Sequence, residues 1–193
     1  MEKLGGILLC GGKSSRMGKD KALLEIKNKP MVSYPLKVLQ QFCSGILISA
    51  NDSRLNFFGY PIIRDEIKDI GPIGGIQACL KQSMYTQNLV LACDMPFITG
   101  ELVSKMIAKA EKYDAVVPLV NHKAEPLYAI YKTSILPMIN HCIDQQNYSL
   151  QKLLLKLNVY YLEVKQDEKI ELCNFNTASE ILTYEQLSGI QLS

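Results

Sequence analysis

Short apolar runs alternate along this chain with segments whose apolar positions recur every three or four residues. The runs are rich in Val, Ile and Leu and do not alternate with polar residues, which predicts strands buried on both faces at 6–10, 46–50, 61–64, 89–93 and 115–119. Helical spacing between them predicts helices near Val32, Ile73 and Leu102, the last with Thr99 as its N-cap. This alternation predicts an α/β fold, a mainly parallel sheet flanked by helices.

The second half of the chain has a different pattern. Residues 126–131 alternate enough to predict a strand of a small antiparallel addition, and 159–164 predict another strand. Helical spacing recurs at 134–143 and 149–157, and Thr177 with Glu180 forms a capping-box pair before a last helix at 178–187. Because no repeat, low-complexity tract or linker interrupts the chain, we expect one domain over residues 1–193.

Composition narrows the function classes. The chain has 193 residues, is 48% hydrophobic and has a net charge of only +2, so it has no global field for nucleic acid or membranes. It contains no apolar run long enough for a transmembrane helix and no signal peptide, which predicts a cytoplasmic protein. Six cysteines without a C-x-x-C pair indicate buried thiols, and two histidines are too few for a multi-histidine metal site.

The loop after the first strand is the strongest candidate for chemistry. Paired glycines there are followed by four cations, Lys13, Arg16, Lys19 and Lys21. Glycine lets the backbone approach a ligand, and N–H groups and cations can share the charge of a polyphosphate, which predicts a phosphate site. The dinucleotide fingerprint is absent, and a P-loop would need glycine where Ile7 stands. A glycine turn with surface lysines is the alternative.

Other polar residues follow the remaining strands. Ser49 and Asn51 end the second strand, Asp65 follows the third and Asp94 follows the fourth. Ligands of open α/β sheets bind outside the carboxyl ends of the strands, so these residues and the first loop should share one edge of the sheet. A carboxylate at Asp94 can hold Mg²⁺ against nucleotide phosphates. Its alternative role is a helix N-cap, for which Thr99 is better placed.

Five motifs in this order resemble those of the bacterial molybdenum cofactor guanylyltransferases, which belong to a superfamily with a GT-A-like, Rossmann-related fold. They are L-x-G-G-x-S-x-R-M-G-x-D-K at 9–21, G-P-I-G-G at 71–75 behind Asp65, C-D-M-P-F at 93–97, E-P-L-Y at 125–128 and N-F-N-T at 174–177. The resemblance covers nearly the whole chain. It implies transfer of GMP from Mg-GTP to molybdenum-molybdopterin, which gives the guanine dinucleotide cofactor and pyrophosphate.

The resemblance also implies a division of labour. Residues 1–120 would be the mainly nucleotide-binding half, and 121–193 the mainly acceptor-binding half. Implied partners are GTP, molybdenum-molybdopterin and proteins of cofactor biosynthesis or molybdoenzyme maturation, but no nucleic acid or membrane; we expect a monomer. Two alternatives stay open: a related enzyme that uses CTP or a sugar-phosphate acceptor, and a non-catalytic nucleotide-binding regulator.

Residue roles follow from the matched motifs. The implied catalytic residues are Arg16, Lys21 and Asp94, with Mg²⁺ on Asp94. The implied nucleotide contacts are Leu9, Cys10, Gly11, Gly12, Lys21, Ser49, Asn51, Asp65 and Asp94. Gly12 indicates guanine, whereas Ser49 replaces an asparagine that the family often has, so Asn51 could take over that contact. The paired amides of Asn174 and Asn176 suit a pterin acceptor, although Asn-x-Asn-Thr before a helix is also an ordinary turn and cap.

Overall fold

A mixed sheet runs through the middle of the molecule. The structure, a computed structural model, describes residues 3–11, 21–51, 55, 58–189 and 192. In these residues the strands are β1 (Leu4–Leu9), β2 (Glu25–Ile26), β3 (Lys29–Pro30), β4 (Gly45–Ser49), β5 (Ile62–Ile63), β6 (Gln87–Ala92), β7 (Ala115–Val120), β8 (Lys123–Ala124), β9 (Tyr128–Lys132) and β10 (Val159–Glu163). Each long apolar run predicted as a buried strand forms one.

The order of strands in the main sheet is β10-β7-β9-β6-β1-β4-β5, with β8 added to the end of β7. Neighbours are parallel except that β9 runs antiparallel to both β6 and β7, and β8 is antiparallel to β7. β1 is central, pairs with β4 and β6, and is buried along its whole length. The predicted fold class, a mainly parallel sheet with a small antiparallel addition in the second half, is confirmed.

Helices cover both faces of this sheet. They are α1 (Ser33–Phe42), α2 (Pro72–Gln82), α3 (Gly100–Ala110), α4 (Leu136–Asp144), α5 (Leu150–Leu154) and α6 (Ala178–Ser188), with 3-10 helices at Lys21–Leu23, Thr133–Ile135 and Gln166–Leu172. Successive residues of β1 point to opposite faces. Leu8 therefore packs in a core with α1 and α3, and Ile7 in a second core with α2, α4 and α5.

A third, smaller core joins the two ends of the chain. The hairpin β2–β3 turns at Lys27 and Asn28, whose φ angles are 51° and 63°. Its Ile26 packs with Phe97, Phe175 and Ile181, the last on α6. The pattern of apolar residues did not predict this hairpin, because strands of two residues leave no periodic signal.

An ion pair holds the hairpin to α6. Lys27 Nζ lies 2.7 Å from Glu185 Oε1, and Glu185 is only 5% exposed. Burial raises the pKa of Glu185, but hydrogen bonds from the Leu192 N–H and from Lys27, together with the Lys27 charge, outweigh it and hold that pKa below its usual value.

The predicted helices are present with shifted ends. α1 begins at Ser33, so Pro35 lies in its first turn, where a missing N–H costs no helical hydrogen bond. Thr99 caps α3 as predicted, since its side chain accepts a hydrogen bond from the Glu101 N–H. None of the helices in the described ranges has the length and apolarity that a membrane crossing requires.

The central position of β1 leads to a stability prediction. Leu8→Ala should lower the free energy of unfolding by about 2–5 kcal/mol, because Leu8 is fully buried and its removal leaves a cavity. The measurement is urea unfolding, with Met84→Ala as the control. Met84 is 88% exposed, so that change should cost about 0.5 kcal/mol or less. Equal losses in the two variants would contradict the assignment of Leu8 to the core.

Candidate functional site

The carboxyl ends of β1, β4 and β6 meet at one edge of the sheet. Backbone pairing continues just beyond them: the Cys10 N–H donates to the Ser49 carbonyl at 2.8 Å, and the Cys93 N–H donates to the Leu9 carbonyl at 3.0 Å. Gly11 follows Cys10 and is exposed at this edge. The structure therefore brings together Leu9, Cys10 and Gly11, predicted from the first motif, and the turn that carries Asp94.

Three predicted site residues of the first motif lie wholly or partly outside the described residues. Gly12 and Arg16 lie outside the described residues. Lys21 opens the 3-10 helix Lys21–Leu23, and its side chain lies outside them as well. The catalytic and nucleotide-binding roles of these three residues stay predictions.

Asn51 and Asp65 form a reciprocal pair at the same edge. Asn51 Nδ2 donates to Asp65 Oδ2 at 3.2 Å, and the Asp65 N–H donates to Asn51 Oδ1 at 3.3 Å. Asn51 is exposed, and Asp65 is partly so. The pairing holds the Asp65 carboxylate in one orientation, with a lone pair on each oxygen still able to accept from a ligand. Contact of either residue with a nucleotide stays a prediction.

Ser49 lies beneath the start of α2. It is 3% exposed, and a Cβ built on Gly75 would stand only 2.2 Å from its Oγ and 3.4 Å from Asp65 Oδ1. Glycine at position 75 is thus what lets α2 approach this edge. In the sequence, Gly75 stands out only as part of the G-P-I-G-G motif. Its packing role is seen only in the structure, where α2 lies against Ser49. Because the Ser49 side chain faces α2, the exposed Asn51 is better placed for the predicted contact.

Asp94 lies in the turn after β6, half-buried. Its carbonyl accepts a hydrogen bond from the Phe175 N–H at 2.8 Å. The Phe175 ring packs on that of Phe97, with centroids 5.2 Å apart. Asn174 and Asn176 flank Phe175 and are exposed. The structure therefore brings the two predicted acceptor residues to the predicted metal residue.

The local role of the asparagine segment is also visible. Thr177 caps α6 by accepting from the Glu180 N–H, as predicted, whereas Glu180 Oε2 accepts from the Asn176 N–H at 2.8 Å. The reciprocal bond of the predicted capping box thus goes to Asn176 and not to Thr177. This bond uses the backbone N–H of Asn176 and not its side-chain amide.

Glu171 ties the same segment to the loop after Asp94. Its Oε2 accepts from the Thr99 N–H at 3.0 Å and from the Tyr128 hydroxyl at 3.1 Å, and its Oε1 accepts from Thr99 Oγ1 at 2.7 Å. Glu171 is 4% exposed, and its burial raises its pKa, although the hydrogen bonds from Thr99 and Tyr128 oppose that rise. Sequence reasoning missed this residue.

Glu125 is a second carboxylate near Asp94. Burial raises the pKa of Glu125, a hydrogen bond from the Leu127 N–H and the charge of Lys123 lower it, and the charge of Asp94 raises it further. The residue lines an open groove of about 290 Å³ together with Pro72, Tyr148 and Gln151. The sequence pointed to it only through the E-P-L-Y motif, without a role.

The Asp94 carboxylate is the kind of donor that suits a magnesium ion. Mg²⁺ prefers carboxylate oxygens and usually takes one or two of them, while phosphates and water complete its shell. Asp94 supplies a partly exposed carboxylate at a strand end, and its negative charge is one of the causes that raise the pKa of Glu125. A divalent cation would relieve the repulsion between the two carboxylates, and a role of Asp94 in holding it stays a prediction.

Comparisons with known proteins show the family of this chain. The family model described as "MobA-like NTP transferase domain" matches residues 6–160. A protein of Flavobacterium johnsoniae named "Probable molybdenum cofactor guanylyltransferase" is 34% identical over 182 residues, which are 94% of this chain and 96% of that protein. A protein of Carboxydothermus hydrogenoformans with the same name is 32% identical over 187 residues, 96% of this chain and 89% of that one.

Solved structures share the fold. Molybdopterin-guanine dinucleotide biosynthesis protein A from Archaeoglobus fulgidus has a TM-score of 0.77 at 25% identity, over 96% of this chain and 98% of that one. The 2-C-methyl-D-erythritol 4-phosphate cytidylyltransferase of Thermus thermophilus has a TM-score of 0.73 at 13% identity, over 98% of this chain and 100% of that one. At that low identity, the second likeness concerns the fold alone.

The contact between α2 and Ser49 yields a stability prediction. Gly75→Ala should destabilise the fold by about 1–3 kcal/mol, because the added methyl group meets the Ser49 hydroxyl. Ser49→Ala removes that hydroxyl, so the double variant should recover stability, with a coupling free energy of about 1 kcal/mol or more. Urea unfolding of the four proteins measures it. Additive losses would show that the two residues do not meet.

The two carboxylates yield a titration prediction. Asp94→Asn should lower the pKa of Glu125, because it removes a negative charge that raises it. Lys123→Met should raise the same pKa, because the Lys123 charge lowers it. Carbon-detected NMR titration of the Glu125 carboxyl measures both shifts. An unchanged value in Asp94→Asn would place the two carboxylates too far apart to share a cation.

Proposed function

Because the chain belongs to the molybdenum cofactor guanylyltransferases within the MobA-like NTP transferase family, and is therefore an enzyme that transfers nucleotides, we propose that it transfers GMP from GTP to molybdenum-molybdopterin. A phosphate oxygen of the acceptor attacks the α-phosphorus of GTP, the bond to the β-phosphate oxygen breaks, and pyrophosphate leaves. The observation that carries this proposal is the docking of Phe175, between Asn174 and Asn176, onto Asp94.

The nucleotide would lie along the ends of β1, β4 and β5. Gly11 and Gly12 would let the backbone approach the nucleotide, and a side chain at position 12 would obstruct that approach. The oriented carboxylate of Asp65 can accept from the N1–H and N2–H groups of guanine or from ribose hydroxyls. Both contacts suit GTP.

Charge stabilisation would come from three residues. Asp94 would hold Mg²⁺, which when bound neutralises part of the triphosphate charge. Arg16 offers a planar fork for phosphate oxygens and Lys21 a compact charge, so both would stabilise the leaving pyrophosphate. Positioning and electrostatics supply most of the rate in phosphoryl-group chemistry, and no residue needs to form a covalent intermediate.

The acceptor would bind beside Asp94. The amides of Asn174 and Asn176 offer both donors and acceptors, which a pterin ring requires. Because the Phe175 N–H binds the Asp94 carbonyl, an acceptor held by these amides would present its phosphate close to the nucleotide. Residues 121–193 would then be mainly the acceptor half, and residues 1–120 mainly the nucleotide half.

The alternatives differ in support. A cytidylyltransferase shares the fold, so the fold does not choose the base; Gly12 and the names of the relatives favour guanine. A sugar-phosphate acceptor is disfavoured by the paired amides. Membership of a nucleotide-transferring family leaves the regulator alternative without support. A monomeric state, a cytoplasmic location and protein partners in molybdoenzyme maturation stay predictions.

The activity test follows directly. With molybdenum-molybdopterin and Mg²⁺, the enzyme should release pyrophosphate from GTP far faster than from CTP. Asp94→Asn should lower turnover about a hundredfold or more, because a neutral amide holds the cation poorly. A coupled pyrophosphate assay and chromatography of the dinucleotide product measure both.

Asp114→Asn is the matched control. Asp114 lies just before β7, at the opposite end of the sheet, and its Oδ2 accepts from the Asn158 N–H at 3.0 Å. This variant should keep the wild-type turnover. Normal turnover in Asp94→Asn would contradict the metal assignment. Pyrophosphate release from CTP but not from GTP would show that the nucleotide substrate is CTP.

A further inference from the structure

We propose that Glu171 is a positioning residue of the acceptor site, whose buried carboxylate holds the segment bearing Asn174 and Asn176 in register with the loop bearing Asp94. The identity of the acceptor rests on the proposed function. The positioning itself rests on contacts within the chain, so the two can be tested separately.

The first step is that this segment is attached at two points. Glu171 binds Thr99 through both carboxylate oxygens, and the Phe175 N–H binds the Asp94 carbonyl. One attachment would fix a position but would leave the segment free to pivot. Two attachments to the same loop fix its direction as well, and Asn174 lies between them.

The second step is that the environment selects a carboxylate. The Thr99 N–H can only donate, the Thr99 hydroxyl accepts from the Glu101 N–H and so turns its proton toward Glu171, and the Tyr128 hydroxyl donates as well. Three donors thus converge on two oxygens. An amide at this position would bring an NH₂ group against at least one donor, which leaves buried polar groups unsatisfied.

The third step is the place of this carboxylate in the molecule. Tyr128 is fully buried on β9, next to β6, and Thr99 is the N-cap of α3. Glu171 therefore links the asparagine segment to β9, which pairs with the strand β6 that leads to Asp94, and to the N-terminus of α3. A displacement of about 1 Å between reacting groups can cost about a hundredfold in rate, so this link matters for transfer.

The test compares Glu171→Gln with the wild-type enzyme. The KM for molybdenum-molybdopterin should rise about tenfold or more, while the KM for GTP and the Mg-GTP shift in melting temperature should stay within about twofold of wild type. The exchange of the Phe175 amide hydrogen with solvent should accelerate about tenfold or more. Without the Glu171–Thr99 contact, only one of the two attachments remains, the hydrogen bond from the Phe175 N–H to the Asp94 carbonyl, which then opens more often.

Glu168→Gln is the matched control. Glu168 lies on the same 3-10 helix and is also buried, but its carboxylate binds Lys105 and accepts from the Lys165 N–H. This variant should leave the acceptor KM and the Phe175 exchange unchanged. Tyr128→Phe removes one of the three donors and should show a smaller split in the same direction; it carries the test if Glu171→Gln does not fold.

The outcomes separate the two proposals. A folded Glu171→Gln protein with unchanged acceptor KM and unchanged Phe175 exchange would overturn the positioning role. Equal rises in both KM values would also overturn it, because they would indicate a general loss of structure. If the wild-type enzyme does not use molybdenum-molybdopterin at all, the proposed function fails. Faster Phe175 exchange in Glu171→Gln than in Glu168→Gln would then still support the positioning role of Glu171.

Discussion

The pairing of β1 with β4 and β6 is the interaction on which the candidate site depends. Five residues of β1 pair with β4 and six with β6, all in parallel. Because the ladder continues to Cys10 and Cys93, the three strands end at one level and not at staggered heights. Backbone hydrogen bonds therefore decide that a loop from the start of the chain and a turn from its middle emerge side by side. Side chains act on a geometry that is already fixed.

The two proposed halves of the site are built by different forces. On the nucleotide side, strand ends and the close approach of α2 at Gly75 place Asn51 and Asp65 within hydrogen-bond distance of each other. On the acceptor side, no strand carries the asparagines. Their segment is held by the Phe97–Phe175 ring contact, by one backbone hydrogen bond and by the Glu171 carboxylate. The first arrangement follows from the sheet, and the second from side-chain contacts between distant parts of the chain.

This difference explains what could be predicted from the sequence. Apolar runs identify buried strands, and the rule for parallel strands then places Ser49, Asp65 and Asp94 at one edge; the structure agrees. Glu171 gave no such signal, because a glutamate in the polar stretch Gln166–Leu172 has the composition of a solvated turn. Only its contacts with Thr99 and Tyr128 show that it is buried. Gly75 was noticed as part of a motif, but its reason lies in the distance to Ser49.

A protein named as a cytidylyltransferase shares this fold. The pairing of β1 with β4 and β6 therefore cannot by itself select the base or the acceptor. Selection must then reside in side chains at the sheet edge and in the segment docked beside it. A segment held mainly by Glu171 and an aromatic contact can change its side chains at Asn174 and Asn176 without disturbing β1 or its partners. The pair of carboxylates is different: the Asp94 charge raises the pKa of Glu125, so a change at Asp94 alters the field at Glu125. We therefore expect that changes at Asn174 and Asn176 can alter the choice of substrate without altering the charges at Asp94 and Glu125. Glu171 is the residue that physically links these two regions.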